Sequence, residues 1–173
     1  AIIAKELNAP LEVAITEKLG HPQNPEYAVG ALNKEGYVIN PEANVSEEYL
    51  EREIKRVQDL VNERYDQYYS VARPHRLQNK WVIIVDDGIA TGSTVLATVQ
   101  LASKEQPSGI VVATPVAPPA TIEKLKNSPY IDEVVCLETP PYFMGVGQFY
   151  ENFFPVSDEQ AITILEKANQ KKI

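Results

Sequence analysis

The stretch from residue 82 to residue 94 reads VIIVDDGIATGST, and it decides the expected fold of the second half of the chain. It begins inside the apolar run Trp81–Val85, which is typical of a parallel strand buried on both faces. Asp86 and Asp87 follow directly and are called the acidic pair below. Two carboxylates are therefore expected at the carboxyl edge of the sheet, where open α/β sheets bind ligands.

Ala90, Thr91, Gly92, Ser93 and Thr94 form a short loop that opens a helix, and we call them the cradle loop. A helix N-terminus presents unpaired N–H groups and a partial positive charge, which suit a phosphate group. The glycine lets a ligand approach the backbone, and the three hydroxyls add donors. The alternative is an ordinary capped helix start, and the adjacent acidic pair makes the phosphate site the better interpretation.

The acidic pair predicts a second task beside the phosphate site. Carboxylates repel phosphate, but they accept hydrogen bonds from neighbouring hydroxyls such as those of ribose, and they hold hydrated Mg²⁺. A phosphate cradle beside a diol-binding pair of acids therefore predicts a site for a ribose 5-phosphate group.

The composition limits the other possibilities. The chain has 173 residues, of which 44% are apolar, and these values predict one globular domain over residues 1–173. Its 16 basic and 24 acidic residues give a net charge of −8, which argues against nucleic-acid binding by general charge. An anionic ligand must then be held by local donors, because the overall field opposes it.

Neither a membrane span nor a disulfide framework is expected. No apolar run approaches the roughly 20 residues that cross a bilayer, and no signal-peptide pattern is present, so a cytoplasmic location is expected. The single cysteine, Cys136, cannot form an internal disulfide and is expected to pack as a small apolar residue.

The hydrophobic pattern predicts an α/β fold with a mainly parallel sheet flanked by helices and a β-hairpin excursion. Strands are expected at 11–19, 81–85, 109–116 and 133–137, with a hairpin at 27–39 after a loop at 20–26. Helices are expected at 1–7, 46–68, 95–104, 119–127 and 158–168. Because no strand precedes the first helix, we expect the numbered chain to begin inside an αβ unit.

Two local features refine this outline. Asn44 and Glu47 form a capping-box-like pair that is expected to start the long helix, and Ser157 with Gln160 is expected to start the last one. The aromatic residues near the C-terminus are expected to lie in the core: Phe149, Tyr150, Phe153 and Phe154.

The stretch 82–94 resembles the signature of the type I phosphoribosyltransferases, which bind 5-phosphoribosyl 1-pyrophosphate (PRPP). Residues 17–20, 24–26, 28–31 and 146–150 are similar to a poorly characterised bacterial branch of that family. The resemblance implies Mg²⁺-dependent transfer of a phosphoribosyl group from PRPP to a nitrogenous base, with release of pyrophosphate, as in nucleotide salvage. It also implies a homodimer.

The resemblance assigns roles to particular residues. The cradle loop would hold the 5-phosphate, and the acidic pair would hold the ribose hydroxyls, partly through Mg²⁺, and stabilise the positive charge that develops on the ring. Lys18 is expected to reach the pyrophosphate, with a solvated strand end as the equal alternative. Residues 139–155 correspond to a hood over the base, in which Tyr142, Phe143 and Met144 offer a stacking surface.

Two departures from the family pattern leave alternatives open. The family's pyrophosphate loop, which follows its first sheet strand, is not in this sequence, so a PRPP-sensing module without turnover is the alternative function. Ala90 stands where hypoxanthine–guanine enzymes carry an aspartate, which disfavours that type of acceptor. Arg73, His75 and Arg76 could close over the pyrophosphate, although a plain solvated loop is the simpler interpretation.

Overall fold

The computed structural model describes residues 1–70 and 73–170, apart from the side chains of residues 25 and 26. The strands are β1 Glu17–His21, β2 Asn24–Asn33, β3 Gly36–Ile39, β4 Trp81–Val85, β5 Gly109–Val116 and β6 Glu133–Glu138. The helices are α1 Ile2–Glu6, α2 Glu47–Tyr68, α3 Ser93–Ser103, α4 Pro119–Lys126 and α5 Asp158–Asn169, with a 3₁₀ turn at Val146–Phe149.

The second half of the described chain is a parallel sheet in the order β4-β5-β6, with α3 and α4 as its crossovers. This confirms the predicted α/β class. The pairing of β4 with β5 runs in register from Trp81 opposite Gly109 to Val85 opposite Ala113. Both helices pack on one face of this sheet. The buried core there contains Val95, Val99, Ile110, Val112, Ile122 and Leu125.

The other face of the parallel sheet is open, so the prediction of strands buried on both faces is wrong for β4 and β6. Trp81, Ile83 and Val85 are 64%, 42% and 50% exposed, and Val135 and Leu137 of β6 are also exposed. The reason is that α3 and α4 both pack on the same side. The side chains of β4 that alternate to the opposite side border a cavity, which residues of α1 and residues 9–16 also line, rather than a packed core.

The first half of the chain folds into an antiparallel sheet in the order β1-β2-β3. The predicted strand at 11–19 is wrong in its bounds, because residues 11–16 are irregular and the strand begins at Glu17. Most of the loop expected at 20–26 belongs to β1 and β2, which a two-residue turn joins. The predicted hairpin between β2 and β3 is confirmed, and Asn33 Oδ1 closes it by accepting the N–H groups of Glu35 and Gly36.

Helix α2 covers this antiparallel sheet. The core between them consists of Leu19, Val29, Leu32, Val57 and Val61. The N-cap is Ser46, whose hydroxyl accepts the N–H of Tyr49 at 3.2 Å, so the cap predicted at Asn44 is wrong. Ser46 stands immediately before the first helical residue, where its oxygen reaches an otherwise unpaired N–H group.

Helix α5 returns the end of the chain to its beginning. It starts with the predicted capping box of Ser157 and Gln160. Its last residue, Asn169, accepts the N–H of Leu11 at 3.1 Å and donates to the Leu11 carbonyl at 2.7 Å. Among residues 1–70 and 73–170, no helix combines the length and apolar character that spanning a bilayer requires.

Replacing Gly30 by alanine tests the tight pairing of β2 with β3. An added Cβ would lie 2.3 Å from the carbonyl oxygen of Val38, which is backbone and cannot rotate away. We expect Gly30→Ala to lower the free energy of unfolding by about 1–3 kcal/mol, measured by urea unfolding. Gly145→Ala is the matched control, because an added Cβ there meets nothing within 4 Å, and an equal loss in both variants would contradict the prediction.

Candidate functional site

The carboxyl edge of the parallel sheet presents the acidic pair on a short arch of backbone. The N–H of Asp86 donates to the Ala113 carbonyl at 3.1 Å, so β4 stays paired one residue beyond its end. The chain returns at Ile89, whose N–H donates to the Val116 carbonyl at 3.0 Å. The segment between these two anchors, which includes Asp87, therefore stands out from the sheet edge.

The two carboxylates differ in their surroundings. Asp86 is half-buried, and its Oδ1 accepts the N–H of Gly88 at 3.1 Å, whereas Asp87 is exposed. Burial raises the pKa of the Asp86 carboxyl, and the negative charge of Asp87 raises it further, while the hydrogen bond from Gly88 acts in the opposite direction. A half-buried carboxylate beside a second acid gains stability from hydroxyl donors or from a cation.

The structure places the cradle loop directly after this arch. Gly92 is the N-cap of α3 and has a left-handed backbone, with φ of 72°, which glycine adopts without strain. Ser93 and Thr94 are the first two residues of the helix rather than loop residues, and with Thr91 they are exposed. The N–H groups of the helix start and three hydroxyls thus lie at one position beside the acidic pair. Within this group the Ser93 N–H donates to Thr91 Oγ1 at 3.5 Å, and the Thr91 hydroxyl donates to Ser93 Oγ at 3.4 Å.

Helix α4 holds the cradle loop from behind, which sequence analysis missed. Thr121 Oγ1 donates to the Ala90 carbonyl at 2.6 Å, and Lys124 Nζ donates to the Thr91 carbonyl at 3.3 Å. These contacts join residues 31 and 33 positions apart in the chain, so no local pattern signals them.

Residues 146–150 lie against the acidic arch from the other side. The hydroxyl of Tyr150 donates to the Asp87 carbonyl at 2.5 Å. Gly88 packs against Val146, and an added Cβ on Gly88 would lie only 2.4 Å from Val146 Cγ1. Sequence analysis did not assign this positioning role to Tyr150.

The predicted core position of the four C-terminal aromatic residues is wrong. Phe149, Tyr150 and Phe153 are each more than a third exposed, and Phe154 is 80% exposed. The rings pair within their own segment, as Tyr150 does with Phe153 at a centroid distance of 5.3 Å. They stay near the surface because they pack on one another beside the open end of the sheet.

The segment predicted as a hood is held together by Gln148. Its Oε1 accepts the N–H of Met144, and its Nε2 donates to the Tyr142 carbonyl, both at 3.1 Å. The side chains of Tyr142 and Met144 are 85% and 94% exposed, while Phe143 stacks on Phe149 at 5.3 Å. The side chains of Tyr142 and Met144 are therefore accessible, while hydrogen bonds to Gln148 hold the backbone of the turn that carries them.

Two further predicted contacts lie on other elements. Lys18 is an exposed residue of β1, opposite Ala31 in the antiparallel sheet, and so is not on the parallel sheet that carries the acidic pair. In the loop before β4, the ring and the N–H of His75 both contact the carboxylate of Glu12. Tyr69 OH donates to the same carboxylate at 2.5 Å. Glu12 thereby fastens that loop to the first half of the chain.

A cavity of about 540 Å³ lies between residues 9–16 and β4. Its lining includes every residue of β4 but none of the acidic pair or the cradle loop. The site at the sheet edge and this cavity are therefore neighbours: β4 leads into the acidic pair, and α3, which begins in the cradle loop, also lines the cavity through Thr98 and Ala102.

The acidic pair fits Mg²⁺ as a partial set of ligands. Within the part of the chain that the structure describes, no three His, Cys, Asp or Glu side chains are grouped so as to hold a metal ion. Mg²⁺ commonly uses one or two carboxylates together with waters and substrate phosphates. Two adjacent carboxylates, one of them half-buried, match an ion that binds together with a phosphate ligand rather than in an all-protein cage.

Comparison with known proteins gives a consistent result. Residues 1–143 match the family model described as "Phosphoribosyl transferase domain". "Putative phosphoribosyl transferase Rv0571c" of Mycobacterium tuberculosis H37Rv is 35% identical over 173 residues, which cover 97% of this chain and 39% of that protein. The chain therefore spans about two fifths of the length of this relative. The counterpart MT0597 from strain CDC 1551 gives the same figures.

A solved structure is similar over most of the fold. The crystal structure of TT1426 from Thermus thermophilus matches with a TM-score of 0.85 and 37% sequence identity. The match covers 96% of this chain and 80% of that chain.

Asp86→Asn tests the electrostatic strain at the sheet edge. Since folding raises the pKa of Asp86, the folded state binds its proton more tightly, and the stability that this gives is lost as the pH rises through the folded pKa. The charged form therefore costs stability at neutral pH. We expect Asp86→Asn to raise the Tm by a few degrees at pH 7.5, and to lose this gain below about pH 4.

Asp59→Asn is the matched control, because it removes the same formal charge from an exposed position on α2. It should leave the Tm nearly unchanged at both pH values. A lower Tm of Asp86→Asn at pH 7.5, or a gain that is the same at both pH values, would contradict the prediction.

Proposed function

The chain belongs to the phosphoribosyl transferase domain family, and from this premise we propose that it transfers the 5-phosphoribosyl group of PRPP to a nitrogenous base. The observation that carries the proposal is the arrangement at the end of β4. There the acidic pair and the cradle loop are consecutive in the chain, and α4 and Tyr150 hold them from two sides. This arrangement supports a phosphate site next to two carboxylates, because the cradle loop follows the acidic pair after only two residues.

The 5-phosphate would bind at the cradle loop. The N–H groups at the start of α3 and the exposed hydroxyls of Thr91, Ser93 and Thr94 supply the donors. This arrangement supports binding of a dianion by a chain with a net charge of −8, because main-chain amides act locally. In this proposal Ala90 contributes its backbone.

Asp86 and Asp87 would hold the ribose hydroxyls and act on the reacting ring. The bond between C1 and the pyrophosphate oxygen breaks, its electron pair leaves with the pyrophosphate, and a nitrogen lone pair of the base forms the new bond to C1. Positive charge grows on the ring as this happens. Preorganised carboxylates nearby stabilise that charge, which is commonly the largest contribution to catalysis.

Mg²⁺ belongs to the proposal as a cofactor that Asp86 and Asp87 would hold together with the substrate. When bound, it would neutralise charge on the departing pyrophosphate. The half-burial of Asp86 and the second charge on Asp87 support a cation at this point.

Residues 139–155 would form the hood over the base, as part of a single domain over 1–173. Tyr142 and Met144 are accessible for stacking on a flat ring, and Phe143 supports the turn through Phe149. The contact of Lys18 with pyrophosphate stays a prediction. A salvage role, a homodimer and a cytoplasmic location also stay predictions.

The experiment is to incubate the full-length protein with PRPP, Mg²⁺ and a panel of nucleobases and to follow pyrophosphate release. Release with at least one base is the expected result. PRPP binding without release for any base would instead support the alternative, a PRPP-sensing module.

The double variant Asp86→Asn/Asp87→Asn tests the role of the acidic pair. We expect pyrophosphate release to fall by about 10²–10³-fold or more, because the charge that stabilises the ring cation is gone. The fold should persist, since both residues follow the end of a strand, and circular dichroism checks this. Asp59→Asn should retain full activity, and a double variant within a few-fold of the wild type would refute the assigned role.

A further inference from the structure

Two side chains of α4 fix the direction of the peptide units in the cradle loop. Thr121, which is 6% exposed, donates its hydroxyl to the Ala90 carbonyl at 2.6 Å. Lys124 lies three residues further along the helix and donates to the Thr91 carbonyl at 3.3 Å. Residues three apart share one helix face, so α4 holds two consecutive carbonyls at once.

The direction of the carbonyls determines the direction of the amides. Peptide bonds among the described residues are trans, and in a trans peptide unit the N–H points opposite to the C=O. With the Ala90 and Thr91 carbonyls turned towards α4, the N–H groups of Thr91 and Gly92 point away from α4. Successive amides on one side of a loop form a concave anion site.

The same threonine also shapes the turn sterically. Its Cγ2 methyl lies 3.2 Å from the position that a Cβ on Gly92 would occupy. Gly92 has the left-handed backbone that lets the chain change direction into α3. The Thr121 methyl thus occupies the space beside Gly92, while its hydroxyl orients the Ala90 carbonyl, and these two contributions can be separated by substitution.

Hydrogen bonds to the carbonyls also strengthen the amides. A donor on a carbonyl oxygen polarises the peptide unit, so the N–H of the same unit becomes a better donor. A charged donor such as Lys124 increases this effect. The N–H of Gly92 shares its peptide unit with the Thr91 carbonyl, and the N–H of Thr91 shares its unit with the Ala90 carbonyl.

We propose that Thr121 is a positioning residue of the phosphate site, acting through the Ala90 carbonyl, and that Lys124 supports it through the Thr91 carbonyl. Neither residue needs to touch the ligand. The inference rests on the proposed function and specifies how the affinity for the phosphate group is set.

The test compares Thr121→Val with Thr121→Ser in the full-length protein. Valine keeps the shape and loses the hydroxyl, and we expect it to weaken binding of ribose 5-phosphate about 10-fold by calorimetry. Serine keeps the hydroxyl and loses the methyl, and should bind within about 3-fold of the wild type. The KM for PRPP should rise in Thr121→Val while kcat changes little, because the residue orients the binding loop rather than the reacting centre.

Equal affinity of Thr121→Val and the wild type would overturn the proposal. So would equal losses of affinity in the valine and serine variants that follow their losses in Tm, because this is the behaviour of a purely structural residue. Lys124→Met should weaken binding less than Thr121→Val, and a larger loss in Lys124→Met would show that the ammonium group contacts the phosphate itself and would overturn its supporting role.

A second readout separates this inference from the proposed function. If the wild type binds neither ribose 5-phosphate nor PRPP, the proposed function fails. The orientation of the Ala90 carbonyl by Thr121 is then judged from the amide resonance of Thr91 in ¹H–¹⁵N spectra. That resonance should move in Thr121→Val and stay near its wild-type position in Thr121→Ser, and an unmoved resonance in Thr121→Val would overturn the positioning role of Thr121.

Discussion

The hydrogen-bond ladder between β4 and β5 sets the position of the acidic pair and of the start of the loop that follows it. It continues past the end of β4 through the N–H of Asp86 and is resumed by the N–H of Ile89, so the arch between them has fixed ends. These two anchors position Asp86, Gly88, whose N–H donates to Asp86, and the start of α3. Contacts from α4 and Tyr150 then adjust an arrangement that the ladder has already set.

Two kinds of polar group lie at this edge of the sheet. The main-chain N–H groups at the start of α3 carry partial positive charge, and the carboxylates of the acidic pair carry negative charge. In the proposed function, main-chain amides would bind an anion, and side-chain carboxylates would bind hydroxyls or a cation. The arrangement has a cost in the empty protein, because burial and a neighbouring charge oppose ionisation of Asp86. Strain of this kind is common where a site is organised for a ligand before that ligand arrives.

Local chemistry made much of the fold and part of the site predictable from the sequence. Residues 81–103 contain the strand Trp81–Val85, the acidic pair, the cradle loop and α3 in direct succession. Local sequence patterns were therefore sufficient to predict them. The backing by Thr121 and the contact from Tyr150 were missed because they join positions 31 and 63 residues apart. Burial of β4 was overestimated because an apolar run does not reveal how many helices will cover it.

The exposed face of the parallel sheet carries an intrinsic fluorescent probe. The chain contains one tryptophan, Trp81, which lies on that face with 64% of its surface exposed and with its ring against Gly109. Its emission therefore reports on a single surface, without background from any other indole. Whatever comes to shield that surface, whether another copy or another polypeptide, would shift the fluorescence of one known residue towards the blue.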